Sequence, residues 1–231
     1  MKRIAIIPAR GGSKRIPRKN VRLIAGRPAI AWVIDIAQKS LCFDEVIVST
    51  DDDEIAHTAK MEGASVPWLR PKNLADDHTP TTPVVRHAIE MLEAETKIGS
   101  LICCIYPTAF LVHPSDIAKA QSLLLSKELD FCLPVLSYGH PVERRLSFGQ
   151  NDVIEMVDSR KTNIRTQDLK NYYHDAGQFY WGTKRAWERY DSVFHGKTGG
   201  IKIPRTKVLD IDTEEDWALA EHLLAIRLKN Y

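Results

Sequence analysis

The chain has 231 residues, the size of one medium α/β domain or of one domain carrying a small excursion, and long enough to bury a core without disulfides. With 44% hydrophobic and 27% charged residues it is neither disordered nor collagen-like. Thirty-two basic against 30 acidic side chains leave a formal charge of +2, too balanced for a nucleic-acid binder that works through global charge.

Arg3–Pro8 reads as a strand buried on both faces, being a short continuous apolar run. A polar, Gly-rich loop follows. Pro28 then opens a helix whose apolar face is Ile30, Val33, Ile34, Ala37 and Leu41. Glu45–Thr50 is the next strand, and Asp52–Met61 a helix with an acidic first turn and Gly63 as its stop. Ser65–Leu69 is a third extended piece and Pro83–Ala94 a third helix. Leu101–Tyr106 is the most apolar strand, Pro114–Ser126 a Pro-started helix with Ile117, Ala120 and Leu124 inward, and Phe131–Leu136 another strand. This alternation predicts an α/β fold of three α/β/α layers, Rossmann-like, around a mostly parallel sheet.

From Ser137 to about Asn171 the helical periodicity fades, and Glu143, Arg144, Arg145, Arg160, Lys161 and Arg165 crowd the segment. Gln150-Asn151-Asp152 is a turn signal between Arg145–Phe148 and Val153–Val157, which predicts an antiparallel arm. The α/β rhythm resumes at Gln178–Gly182, with a short helix near Lys184–Tyr190, strand-like Ile201–Pro204 and Val208–Ile211, and a closing helix from Glu214. Residues 1–136 and 172–231 are thus expected to form one α/β domain, and 137–171 a protruding arm.

The four cysteines, Cys42, Cys103, Cys104 and Cys132, make neither a CxxC pair nor zinc spacing, so buried reduced thiols in a cytoplasmic chain are expected. No apolar stretch approaches the ~20 residues that span a bilayer, and Ile4–Pro8 is too short for the apolar region of a signal peptide. No membrane partner is expected.

Five of the ten residues Arg10–Lys19 are cationic, in a loop at the carboxyl end of the first strand, where open α/β sheets bind ligands. Gly11 and Gly12 would let backbone N–H groups approach an anion while the cations neutralise it; a solvated basic loop is the other reading. Neither a Walker loop nor GxGxxG is present. Asp210-Ile211-Asp212 at a strand end would turn two carboxylates to one face, a fit for Mg²⁺ beside phosphates, or else a solvated turn followed by a helix cap at Asp212 or Thr213. No Ser/His/Asp or Cys/His arrangement suggests a covalent intermediate.

Together these motifs resemble the cytidylyltransferases that activate nine-carbon sugar acids, the CMP-sialate synthetase family. IIPARGGSKRIPRKN (Ile6–Asn20), VIVSTDDDEIA (Val46–Ala56), RPKNLADDHTPT (Arg70–Thr81), YPTAFL (Tyr106–Leu111) and LDIDTEEDW (Leu209–Trp217) carry the resemblance, in family order over nearly the whole chain. It implies that Arg10, Lys14 and Lys19 neutralise the triphosphate of CTP, with Gly11, Gly12, Ser13 and Asn20 beside them. It also implies that Arg70 and Thr81 lie near the cytosine and ribose, that Asp210 and Asp212 bind Mg²⁺, and that Arg165 acts near the sugar and pyrophosphate. The sugar site is expected to take in Tyr106, Asp175 and Gln178 as well. Arg15 and Arg22 are expected to face solvent.

Two departures from the sialate pattern bear on the sugar. Tyr106-Pro107-Thr108-Ala109-Phe110 stands where sialate members read Gln-Pro-Thr-Ser-Pro, and Tyr173–Trp181 stands where they have an Asn-Gly-Ala-like stretch. Both resemble the pseudaminate branch, whose bacterial sugar is deoxygenated and carries two acylamino groups. Phe179 and Trp181 are read either as pocket aromatics or as core. His174 is a candidate base or a structural histidine. The resemblance thus implies transfer of CMP from CTP to a nonulosonic acid, most closely pseudaminic acid, by a homodimer whose arm crosses to the partner's sugar site. The rivals are the sialate, legionaminate or octulosonate reaction, a non-catalytic nucleotide-binding protein on the same fold, and a nucleic-acid module resting on Arg10–Lys19 alone.

Overall fold

Strand β1 (Arg3–Pro8) holds Ile4–Ile7 fully buried because helices cover both of its faces in the computed structural model, which describes residues 2–94, 100–158, 160 and 163–229. The further strands are β2 (Leu23–Ile24), β3 (Arg27–Pro28), β4 (Glu45–Ser49), β5 (Leu101–Ile105), β6 (Phe131–Ser137), β7 (Leu146–Phe148), β8 (Ile154–Met156), β9 (Tyr173–Asp175), β10 (Phe179–Thr183) and β11 (Thr198–Lys202). The helices are α1 (Ala29–Lys39), α2 (Asp53–Met61), α3 (Thr81–Ala94), α4 (Pro114–Ser126), α5 (Lys184–Arg189) and α6 (Glu214–Lys229).

The main sheet runs β11-β6-β10-β5-β1-β4, with β9 added on β6. Strand β1 is parallel to β4 and β5, and β6 to β11, so five strands share one direction. Strand β10 is antiparallel to both β5 and β6, which corrects the expectation that the parallel rhythm resumes there. One side packs Ala5, Ile7, Cys103, Phe179 and Trp181 against α1, α4 and α6; the other packs Ile4, Ile6, Cys104, Phe131 and Tyr180 against α3 and α5. Phe179 and Trp181 are therefore core: Trp181 stacks on Phe43 at 5.0 Å and donates from Nε1 to the carbonyl of Ile117.

Local chemistry sets the element ends. The Asp52 carboxylate accepts the Ile55 amide and caps α2, and Pro114 starts α4 behind His113. Four further expectations change. Leu41 is 84% exposed at φ 55°, just past the end of α1, where the left-handed turn swings it out of the helical stripe. Ser65–Leu69 makes only single bridges to Ile47 and Thr50. The last sheet strand is β11 rather than Ile201–Pro204. Val208–Ile211 is irregular, so Asp210 and Asp212 sit on a loop leading into α6, not at a strand end. Leu23–Ile24 and Arg27–Pro28 form a small hairpin where the sequence predicts loop and, at Pro28, the opening of a helix.

Strands β9 and β10 lie along one edge of β6. Trp181 faces Cys132 and Asp175 faces Val135, so six positions on one side span three on the other. The surplus forms a bulge at Ala176-Gly177-Gln178, which projects toward the end of β5, where the Tyr106 amide bonds to the Gln178 carbonyl. Between Ser137 and Tyr173, a register pair, the chain leaves the sheet, and β7 pairs only with β8 in a separate two-stranded ribbon. Lys161 lies outside the described residues. No described helix is long and apolar enough to cross a membrane. All four cysteines are free, buried thiols, and burial pushes that of Cys132 up to about 11.

Candidate active site

The parallel strands β1, β4 and β5 end together, Pro8 opposite Ser49, and the loops that follow them build the walls of a cavity of about 550 Å³. Arg10, Ser13, Lys14, Lys19, Asn20, Arg70, Thr81, Tyr106, Asp210 and Asp212 all line it, so segments 200 residues apart in sequence converge there. A second cavity, about 760 Å³, opens beside it among Tyr106, His174, Asp175, Tyr180, Arg205 and Asp210. Tyr106 and Asp210 belong to both and stand at their junction.

The acidic run after β4 fastens the basic loop. The Gly11 amide donates to Asp51 at 3.0 Å, and Arg18, at φ 54°, pairs with Asp52 and Glu54. Gly11 is therefore an anchor rather than an anion donor: its N–H is occupied, and a Cβ there would lie 2.7 Å from Asp52 Oδ2. Gly12 is exposed and lines neither cavity. The phosphate-cradle reading thus moves from backbone amides to side chains. Arg10 and Lys14 reach into the cavity, where both pair with Asp77.

Lys19 extends from the far end of the loop to donate to the Ile211 carbonyl at 2.7 Å, between Asp210 and Asp212. Burial draws its ammonium down, while the charges of Asp212 and Asp210 hold it up. Asp210 is pushed up by loss of water and by the charge of Asp212, with Lys19 opposing. Arg15, expected in solvent, instead pairs with Asp212 at 2.7 Å and lines the cavity. Arg22 stays outside it, bound to Glu214 and lying over the Trp217 ring. Asp212 is held by a helix cap: Asp216 Oδ2 accepts the Asp212 and Thr213 amides, and Thr213 Oγ1 accepts the Asp216 amide.

Two of the buried side chains that line the first cavity carry unmet polar atoms. Arg70 is 5% exposed with Nε and Nη2 lacking hydrogen-bond partners; Asp51 is 3.8 Å away, and burial draws the guanidinium down. Asn20 donates to the Arg10 carbonyl, but its Oδ1 has no acceptor's role. Buried polar atoms without partners are costly, on the order of 1–3 kcal/mol, and at a cavity wall they mark where a polar ligand completes the set.

At the junction Thr81, Tyr106, Tyr180 and Asp175 stand in a row of contacts. The Thr81 and Tyr106 oxygens are 2.9 Å apart, the two tyrosine rings meet edge-on at 5.4 Å, and the Tyr180 hydroxyl donates to Asp175 Oδ2 at 2.7 Å. Burial pushes both phenols up, so they stay protonated donors. Asp175 Oδ1 accepts the Gly177 amide. His174 bonds the Asp175 carbonyl through Nδ1 and packs edge-on to Tyr138, a structural arrangement.

Gln178 does not face the sugar-sized cavity. It is 2% exposed, and its Nε2 donates to the carbonyls of Ala176, Gly177 and Leu209, tying the bulge to the loop that carries Asp210. Arg165 lies on the arm, exposed and paired with Asp168, and lines neither cavity of its own chain. Arg15, Asp77, Tyr180 and Arg205 were missed as site residues. The DDH run after Leu74 was the available signal for Asp77, while Tyr180 needed the antiparallel register of β10 to be seen.

Residues 4–216 match the sequence profile of the cytidylyltransferase family. The chain is 40% identical over 226 residues to the pseudaminic acid cytidylyltransferase of Campylobacter jejuni, covering 98% of this chain and 97% of that protein. It is 33% identical over 239 residues to the CMP-N,N'-diacetyllegionaminic acid synthase of Legionella pneumophila, covering 98% and 97%. Among solved structures, CMP:2-keto-3-deoxy-manno-octonic acid synthetase complexed with CTP superposes with a TM-score of 0.72 at 17% identity, covering 98% of this chain and 100% of that one. The protein belongs to the cytidylyltransferase family.

Proposed function

We propose that this chain transfers CMP from CTP to pseudaminic acid, releasing pyrophosphate. The observation that carries the proposal is the pair of cavities sharing Tyr106 and Asp210, one lined by phosphate-type cations and the other aromatic and wide enough for a nine-carbon sugar. The 40% identity to a pseudaminic acid cytidylyltransferase over nearly the full chain supports the choice of sugar.

In this reading CTP occupies the first cavity. Arg70 gives its unmet N–H groups to the nucleoside, and Asn20 Oδ1 accepts from it. Arg10, Lys14 and Lys19 neutralise the triphosphate. The sugar lies in the second cavity, with its anomeric hydroxyl toward the junction. That oxygen attacks the α-phosphorus in line, the bond to the bridging oxygen breaks, and pyrophosphate leaves toward Arg10 and Lys14. The hydroxyl proton passes to solvent or to a basic group at the junction.

Asp210 and Asp212 suit Mg²⁺ as hard oxygen donors on one cavity wall, and a cation there would relieve Asp210, whose carboxyl is raised first by loss of water and then by the charge of Asp212. Bound there, the ion would polarise the phosphate oxygens. Tyr106 and Tyr180 offer ring edges to acylamino methyls and deoxygenated carbons, and Asp175 offers an acceptor. Arg165 would serve the second cavity of a partner chain in a homodimer. The exposed apolar residues of the ribbon, Leu146, Phe148, Val153 and Ile154, support that assembly.

Pyrophosphate release from CTP across pseudaminic, legionaminic, sialic and octulosonic acids tests the proposal. Pseudaminic acid should exceed sialic acid in kcat/KM by at least about a hundredfold, some 2.7 kcal/mol in transition-state binding. Equal use of sialic acid would return Tyr106 to a packing role and leave the cytidylyltransfer intact.

A further inference from the structure

The second cavity carries a charge problem. Two carboxylates, Asp175 and Asp210, line it, yet the sugar proposed to bind there is itself an anion. Its carboxylate is attached to the anomeric carbon, so it sits within two bonds of the attacking oxygen and has to lie near the junction at Asp210. A carboxylate brought beside other carboxylates in a partly desolvated cavity needs a cation to receive it.

Arg165 would reach this cavity only from a partner chain; of the chain's own described residues, Arg205 is the one lysine or arginine lining it. Its charged neighbours are committed elsewhere: Lys202 lies over the Tyr173 ring and Lys207 turns toward Asp116. Both oxygens of Asp175 are taken, by the Gly177 amide and the Tyr180 hydroxyl, and no described side chain pairs with Arg205. The guanidinium is instead seated against the backbone of Gly139, at the root of the arm, so closely that a Cβ built there would overlap Nη1. Arg205 stands on the same loop as Asp210, five residues before it.

Resting on the pseudaminate reading above, we infer that Arg205 receives the carboxylate of the sugar acid, and that Gly139 is glycine so that the guanidinium can take this seat. The planar fork of arginine matches a carboxylate with two parallel N–H bonds, which fixes orientation as well as charge. Held this way, the carboxylate turns the anomeric hydroxyl toward the α-phosphorus. Arg205 thereby selects sugar acids over neutral sugars of the same shape.

The test is steady-state pyrophosphate release by the full chain, wild type against Arg205→Met, Arg205→Lys and Gly139→Ala, with pseudaminic acid and its neutral C1 amide. Arg205→Met should raise the sugar KM about thirtyfold and leave the CTP KM within about twofold, the loss of one charge-assisted pair. It should also abolish the wild-type preference for acid over amide, and Arg205→Lys should restore part of it. Gly139→Ala displaces only the far end of a flexible side chain, so it should raise the sugar KM while the thermal midpoint holds. An unchanged acid-to-amide preference in Arg205→Met overturns the inference, as does an equal rise in both KM values, which would make Arg205 a brace for the loop. No turnover of any sugar acid by the wild-type chain overturns the substrate reading and this inference with it.

Discussion

Asp77 occupies the place where a triphosphate would compete hardest. It sits on a turn built by Asp76, whose carboxylate accepts the His78 and Thr79 amides and the Thr79 hydroxyl, and it presents one carboxylate to both Arg10 and Lys14. The two cations hold its carboxyl below the usual range. An incoming phosphate chain would have to displace this pairing, so Asp77 would weaken every anion at the site and disfavour weakly charged ones most. Exposed pairs of this kind are individually weak. Asp77→Asn should therefore tighten binding of pyrophosphate, titrated calorimetrically with chelator present, by about threefold to tenfold. Asp191→Asn removes a distant acid that pairs with Arg86 and serves as the control for net charge; it should change nothing. Equal tightening in both variants would reduce the effect to a general field. Sequence alone showed the cations but not their partner, because the Asp77 pairing spans more than 60 residues and depends on how two loops fold over one another.

Among the elements, the start of α6 governs the site most directly. Thr213 and Asp216 exchange hydrogen bonds across the first helical turn, and the same Asp216 oxygen takes the Asp212 amide, so the cap that starts the helix also aims a carboxylate. Thr213→Ala removes one cap partner, which typically costs about 1 kcal/mol of stability. We expect a drop in melting temperature of a few degrees together with a larger fall in kcat than in CTP affinity, and recovery of both in Thr213→Ser. A fall in stability with kcat intact would separate the cap from the site. The sequence reading anticipated a cap here and the Asp210/Asp212 pair, yet assigned a strand to Val208–Ile211, since a short β-branched run reads the same whether or not a sheet edge is free to accept it. Strand β10 was visible as an apolar run, but its direction was not: that is fixed by its pairing with β5 and β6, and the bulge at Ala176–Gln178 follows from that pairing. For the same reason Gln178, polar and near matched motifs, reads as a sugar contact, while the fold turns its Nε2 to backbone carbonyls.

At the scale of the whole molecule, the arm is an element that its own chain does not cover. A two-stranded ribbon is marginal in water. Here β7 and β8 expose Leu146, Phe148 and Ile154 and, among the described residues, pair with no other strand, so a partner that covers them would stabilise them. A second copy related by twofold symmetry would cover both arms at once and carry each Arg165 toward the neighbour's second cavity, giving sites built from two chains. Two measurements follow. Light scattering should give a dimer, and Phe148→Asp should shift it toward monomer. An Arg165→Ala chain and an Asp212→Asn chain should each be nearly inactive alone. Mixed under subunit exchange, they form heterodimers in which one site combines an intact Asp212 from the first chain with an intact Arg165 from the second. With half the dimers hybrid and one sound site in each, activity should return to about a quarter of the wild-type value. Proven exchange without recovery would mean that Arg165 and Asp212 serve one chain, or that Arg165 serves none, and a fully active monomer would remove the arm from catalysis altogether.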